Sequence, residues 1–241
     1  MLLLLRGHIR DSFKTQDLYN FVRNLYNKYA VDIYLQTWSV FSNSISWRHV
    51  TANTAAVTED IIRAYFKDIP IKDILILDDT KITLTGNKSG KILASITPLE
   101  GWKNMWYGKA ALAAHVAQLE ADDTPLINTR FDLFSLPNNP PLSDPYAFIA
   151  MNKDTRLIPA VFIVPYVSHS IDNIYMATVE YNLRLSRHFN ENLDEILRTK
   201  NYAHLVHHEH LVLFENMRLF MRKKATIYVM PPRYRPKLAA R

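Results

Sequence analysis

Cysteine is absent from the 241 residues. Its absence removes disulfides, thiolate zinc sites and cysteine nucleophiles at once, and suits a reducing compartment. No apolar run reaches the roughly 20 residues that a membrane span needs. Met1 and the four leucines behind it are too few for a signal-peptide core, so they read as a first strand. The expectation is a cytoplasmic protein, soluble or peripheral to a membrane. Neither common phosphate-binding fingerprint occurs, GxGxxG or the P-loop with its Lys-Ser/Thr, and HExxH is missing as well. No recognised RNA- or DNA-binding motif is present.

Hydrophobic residues make up 48% of the chain and charged residues 22%, the balance of a folded globular protein. The length suits one sizeable domain; two full nucleotide-binding domains would be cramped. The formal charge is +6. Eight Lys or Arg residues fall between Arg218 and Arg241 with no acid after Glu215, so the remainder of the chain is slightly acidic. The sequence pI of about 9.4 therefore belongs to a terminal segment. That segment suits anionic lipid headgroups or a polyanion, or it is a solvated extension.

The central stretch runs from Gly101 to Phe134, GWKNMWYGKAALAAHVAQLEADDTPLINTRFDLF. Met105, Leu112, Val116 and Leu119 recur at helical spacing, which predicts an amphipathic helix from Asn104 onward. Pro125-Leu126-Ile127 then reads as a short buried strand running into Asn128-Thr129-Arg130-Phe131-Asp132. Strand side chains repeat every second residue, so Arg130 and Asp132 are expected on one face. In open α/β sheets ligands sit at that end of the strands.

The first residues give the same kind of signal. Leu2–Leu5, the turn Arg6-Gly7-His8-Ile9-Arg10-Asp11-Ser12-Phe13, and a helix over Asp17–Tyr29 form a strand, turn and helix of the sort that faces an anion. Val31–Leu35 with Gln36-Thr37-Trp38 completes a βαβ unit. Ser42 to His49 reads as a polar loop closing on Trp47 and Arg48, either a sugar- or base-recognition loop or a tryptophan packed on the core under Arg48. A short helix is expected over Glu59–Phe66 and a strand over Ile74–Leu77. Asp78 and Asp79 follow it; adjacent strand residues point oppositely, so only one of them could face a metal. Lys81–Leu84, a glycine-rich turn and Lys91–Ile96 read as a hairpin.

Four prolines between Leu136 and Pro145 close this nucleotide half, residues 1–135. In the second half, 146–217, short strands are expected over Tyr146–Met151 and Ala160–Pro165. Helices are expected over Tyr175–His188, Asn192–Leu197 and Glu209–Met221, and a late strand over Ala225–Met230. His204, His207, His208 and His210 with Glu209 could hold a metal. Alternatively Glu209, alone or with one histidine, faces an acceptor.

These pieces together resemble a nucleotide-sugar-dependent glycosyltransferase of the bacterial or large-virus surface-polysaccharide type. The residues that carry the resemblance are LLLLRGHIRDSF, DIYLQTW with SISWR, GWKNMWYGKAAL through INTRFDLF, and IDNIYMATVEY with HHEHLVLFEN. The resemblance implies a single GT-A-like α/β domain over 1–241, with a Rossmann-like nucleotide-binding half, a central mostly parallel sheet flanked by helices, and an acceptor half. It implies a nucleotide sugar as donor and a glycan or lipid-linked acceptor. Many such enzymes bridge the donor diphosphate with Mn or Mg on an Asp-x-Asp signature. Here the equivalent is Asn128-x-Arg130-x-Asp132, so a guanidinium stands where an acid is usual and can neutralise phosphate itself.

On this reading Arg6, Gly7, His8, Arg10 and Arg130 take the diphosphate, and Thr37, Trp38 and Arg48 line the nucleotide or sugar. Asp132 holds a metal if one is bound, and Trp102, Lys103 and Trp106 shape the same cleft. The base that deprotonates the acceptor is Asp172 first and Glu209 second. The rival classes are a basic nucleic-acid-binding module, a non-catalytic glycan-binding relative, and a transferase using a nucleoside monophosphate sugar.

Overall fold

β1 (Leu2–Arg6) is buried along its whole length, as an unbroken apolar strand covered on both faces must be. The computed structural model describes residues 1–46, 50–133, 161–164, 174–199, 201–203, 205, 208–220 and 226–229. Trp47, Arg48, the proline-rich 136–145, the strand expected at Tyr146–Met151, Asp172, His204, His207 and most of the basic C-terminal segment lie outside the described residues.

From β1 the chain passes through α1 (Asp17–Tyr29) to β2 (Asp32–Trp38), which pairs parallel to β1. The helix stops at Ala30, whose left-handed backbone (φ 47°) lets its N–H bond the Tyr26 carbonyl at 2.8 Å. A small antiparallel ribbon of β3 (Val40–Ser42) and β4 (Asn53–Ala56) follows. α2 (Glu59–Phe66), capped by the Thr58 hydroxyl on the Ile61 N–H, leads to β5 (Asp73–Leu77), parallel to β2. α3 (Leu99–Val116) then carries the chain back across to β6 (Pro125–Arg130), which pairs parallel with the other edge of β1. β7 (Val161–Val164) and β9 (Thr226–Val229) form a separate parallel pair. β8 (Ile174–Thr178) closes the main sheet antiparallel to β6, giving the order β5-β2-β1-β6-β8. α4 (Val179–Thr199) and α5 (His208–Phe220) complete the helices described.

The result is an α/β fold whose mostly parallel five-stranded sheet is covered on both faces. Period-two alternation sorts the core. Leu3, Leu5, Ile33, Leu35 and Ile127 face α1 and α2. Leu2, Leu4, Tyr34, Leu126 and Tyr175 face α3, α4 and α5. Each fully buried leucine on either side contributes about 1.5–3 kcal/mol. No helix among the described residues is long and apolar enough to cross a membrane.

The structure differs from the sequence reading in four places. α3 begins at Leu99 and ends at Val116, leaving Leu119 exposed, and it is wedged between the sheet and α4, so it buries residues on several sides. Lys81–Ile96 is no hairpin; its one ladder contact is an isolated bridge between Lys91 and Pro98. The segment is held instead by Ile92 in the core and by the buried Lys103 ammonium. That group bonds the Thr85 carbonyl, which would otherwise need a strand partner, and pairs with Asp194 at 2.8 Å. Gly86 sits beside that pair with φ +70°, where an added Cβ would fall 1.6 Å from the Asp194 carboxylate. Tyr175 belongs to a strand, because the free edge of β6 offers Ile174–Thr178 a ladder; only from Val179 is the chain helical. From there α4 runs unbroken to Thr199, absorbing the separate helix expected at Asn192–Leu197.

Candidate functional site

The chain leaves β1 toward β2 and β5, then returns to its other side at β6. The crevice at the carboxyl ends of the strands around that reversal is where α/β sheets take ligands. Strand register brings Gln36, Arg6 and Arg130 into one row across β2, β1 and β6, all on the face toward α3. Above them is a solvent-open cleft. Its walls include Arg6, Arg10, Trp38, Trp102, Arg130 and His208.

Arg6 is 1% exposed, with its Nε donating to Asn128 Oδ1 at 2.6 Å. That bond sets the amide's orientation: Asn128 Nδ2 donates to Asn182 Oδ1 at 3.2 Å, which also accepts the Tyr175 hydroxyl at 2.6 Å. A buried polar chain through β6, β8 and α4 thus fixes the guanidinium at the floor of the cleft.

The turn after β1 is tightly wound. Gly7 has φ +92°, and its N–H points at the Gln36 carbonyl (3.1 Å) and side-chain oxygen (3.3 Å). Arg10 adopts φ +52°, a left-handed conformation that costs a residue with a Cβ about 1–2 kcal/mol, and its N–H is anchored on the Phe41 carbonyl at 2.9 Å. Gln36 is held down in turn by α3. At Gly108 an added Cβ would come 2.7 Å from Gln36 Oε1, so any larger residue would push the Gln36 amide from its place.

Arg130 and Asp132 meet, though not as strand neighbours. β6 stops at Arg130 and residues Phe131–Leu133 turn as one 3-10 turn. Arg130 Nε reaches Asp132 Oδ1 at 2.7 Å and Nη2 reaches Oδ2 at 2.6 Å, while Arg10 Nη1 lies 3.2 Å from the same Oδ2. Burial lowers the Arg10 pKa below its usual value, and the Arg130 charge adds to that; Asp132 opposes it. Both oxygens of Asp132 are taken by guanidinium groups. No cluster of three His, Cys, Asp or Glu residues able to hold a metal occurs among the described residues. The arrangement around Asp132 fits an ion pair and does not fit a divalent ion.

His8 turns Nδ1 to the Val40 carbonyl at 3.3 Å, so that nitrogen carries the proton, and its ring lies 5.8 Å from Trp38, tilted by 33°. Burial pushes its pKa down to about 4, with the Val40 carbonyl opposing and Arg10 assisting. The imidazole is therefore neutral near pH 7. An unfolded His8 takes a proton first as pH falls, so its contribution to stability is complete above about 6.5 and drains away towards 4. The loss amounts to about 3 kcal/mol at most. Melting temperatures measured over this window should fall less steeply in His8→Asn; parallel curves would contradict a neutral buried His8.

Strand alternation places Thr37 on the opposite face from Gln36 and Trp38, fully buried and away from the cleft. Of Trp102, Lys103 and Trp106 only Trp102 lines it. Trp106 is in the core behind, stacked on Phe189 (4.3 Å, 18°), and Lys103 serves the Asp194 pair. Arg48 and Asp172 lie outside the described residues, as does the side chain of Glu209, the second residue of α5. His208 comes from the same histidine-rich stretch and does line the cleft. Its Nδ1 is 3.3 Å from Thr97 Oγ1 and its ring meets Trp102 edge-on at 5.6 Å. Gln36 and Thr97 stand in no motif, whereas Asn128 is the first position of the strand-end signature Asn128-x-Arg130-x-Asp132. Continuing the period-two pattern of Leu2, Leu4 and Arg6 into the neighbouring strands would have found Gln36.

Fold and site define an α/β protein with an arginine-rich cleft at the reversal point of its sheet, where Arg10 and Arg130 pair with Asp132 and Arg6 lies beside them on Asn128. No protein-family model matches the chain, and no curated protein sequence matches it.

Proposed function

We propose that this chain is a glycosyltransferase of GT-A-like architecture that moves a sugar from a nucleotide donor to a glycan or lipid-linked acceptor. The product would be a surface polysaccharide or a glycoprotein glycan. The observation that carries the reading is the row of Arg6 and Arg130 with Arg10 beside it, at the strand ends where α/β sheets commonly take ligands. Breaking the bond between the anomeric carbon and the diphosphate oxygen leaves negative charge on the diphosphate. Fixed guanidinium groups stabilise that charge without reorganising. Trp38, 3% exposed and packed beside His8, lines the cleft with the edge of an aromatic ring that a base or sugar could meet.

The acceptor hydroxyl loses its proton as its oxygen attacks the anomeric carbon, and that proton goes to a base. Asp172 and Glu209 keep this role from the sequence, and His208 joins them because it lines the cleft. Residues 1–135 would hold the donor and 146–217 the acceptor. The basic segment 218–241 would rest on an anionic membrane surface where the acceptor is lipid-linked.

A thermal-shift series with UDP, GDP, dTDP and CMP, each with and without Mn ions, tests the reading. A ligand at a hundred times its Kd adds about 2.7 kcal/mol to stability. One diphosphate should raise the melting temperature and so name the donor base. No shift with any of them at millimolar concentration would remove the basis for a nucleotide site.

A further inference from the structure

We infer that Asp132 is a built-in stand-in for a ligand phosphate, and that a diphosphate binds by taking Arg10 and Arg130 away from it. This rests on the reading of the cleft as a diphosphate site. Arg130 grips Asp132 through Nε and Nη2, the edge of a guanidinium that fits two oxygens of a carboxylate or a phosphate equally well. Arg10 completes the grip from the other side. The carboxylate is 4% exposed while the two guanidiniums are 15% and 19% exposed, so the cations are the more accessible partners.

The resident pair is also incompletely bonded. Arg10 Nε is buried with no acceptor among the described residues, and the Arg10 backbone is held in a left-handed conformation at the lip of the cleft. Ser12 Oγ donates to the Phe131 carbonyl at 2.8 Å, tying the Arg10 turn to the Asp132 turn. With the two backbones fixed to each other, the exchange falls to the side chains. Its direction follows from charge. A sugar-linked diphosphate carries about two negative charges against the carboxylate's one, and free pyrophosphate carries more, so either attracts the two cations together more strongly than Asp132 does. The guanidiniums then neutralise the diphosphate without a divalent ion.

Calorimetric titration of the full chain with inorganic pyrophosphate in EDTA tests this, comparing wild type with Asp132→Asn and Asp79→Asn. Asp79 is the control for bulk charge: it lies near His8, accepts a hydrogen bond from Asn43 at 2.8 Å and forms no ion pair among the described residues. Pyrophosphate should bind the wild type without metal. Asp132→Asn should bind at least about tenfold more tightly, and Asp79→Asn within about threefold of wild type. Equal gains in the two variants, or weaker binding in Asp132→Asn, would overturn the exchange. If Asp132→Asn shows no cooperative melt, Asp132→Ser goes through the same titration. Failure of both to fold would make Asp132 a structural counter-ion and end the proposal. A wild type that binds a nucleoside diphosphate while Asp132→Asn gains nothing defeats this inference alone; a wild type that binds neither pyrophosphate nor any nucleotide defeats the site itself.

Discussion

Arg6→Met should cost the protein at least about a hundredfold in affinity for the nucleoside diphosphate proposed as its ligand, while leaving a folded chain. The position is singular because β1 is the central strand. Arg6 lies in register with Gln36 on one side and Arg130 on the other, at the floor of the cleft and 1% exposed. Water cannot easily replace a cation there, and removing one partner of a desolvated charge pair costs roughly 2–5 kcal/mol. Methionine is close in volume, so no large cavity opens beneath β1. Asn128 loses the donor to its Oδ1, a loss of about 1–3 kcal/mol, offset in part because a buried charge is gone. Circular dichroism melting separates the two effects from titration with the diphosphate. Arg6→Lys should fall between, retaining the charge without the Nε bond. Undiminished affinity in Arg6→Met would place the ligand somewhere other than the β1 strand end.

Trp106→Ala should be the most damaging single core change, at about 3–5 kcal/mol. For a chain of this length that lowers the melting temperature by on the order of 10 °C. The indole is fully buried, stacked on Phe189, edge-on to Trp102 at 5.8 Å, and covered by the Lys109 ammonium 3.9 Å from its ring centre. Truncation opens a cavity at the seam of α3 and α4 and removes the ring beneath a buried cation. Trp102, a wall of the cleft, leans on the same ring, so ligand affinity should drop along with stability. Urea unfolding of Trp106→Ala and Trp106→Phe gives the comparison. A loss under about 1 kcal/mol in the alanine variant would mean that the seam of α3 and α4 carries little of the core's stability.

The parts of the fold legible in the sequence are those where one periodicity dominates. α1 is bounded by residues 17 and 29 because its apolar stripe, with Leu18, Val22 and Leu25, is unbroken, and β1 is an apolar run with no rival reading. β8 was misread because Ile174–Thr178 joins directly to a helix and its strand character depends on a free edge 45 residues away in sequence, at β6. The supposed hairpin failed for a related reason: Lys103 and Ile92 satisfy that segment through contacts that no local pattern carries.

The site shows the same division. Arg6, Arg10 and Arg130 stand out as cations at strand ends and turns. Asp132 lines the cleft as expected, and the 3-10 turn brings it onto the Arg130 guanidinium two residues before it. Thr37 and Gln36 exchange roles once the face of the sheet is known. His208 reaches the cleft only through the packing of α5 against α3.

The reversed direction of β8 governs what the cleft receives from the second half of the chain. Because β8 ends beside Pro125, at the amino edge of the sheet, α4 starts there, with the Val179 N–H on the Thr124 carbonyl at 3.1 Å, and climbs antiparallel to α3. The chain is thereby returned to cleft level before α5 begins, and α5 presents its first turn, with His208, to the same space that the first turn of α3 borders through Pro98 and Gly101. The starts of both helices thus border one cleft, Pro98 and Gly101 from α3 and His208 from α5. A parallel edge strand would have ended at the cleft and sent the following helix down and away from it. One inverted strand therefore lets residues far apart in sequence, Gly101 and His208, wall the same space.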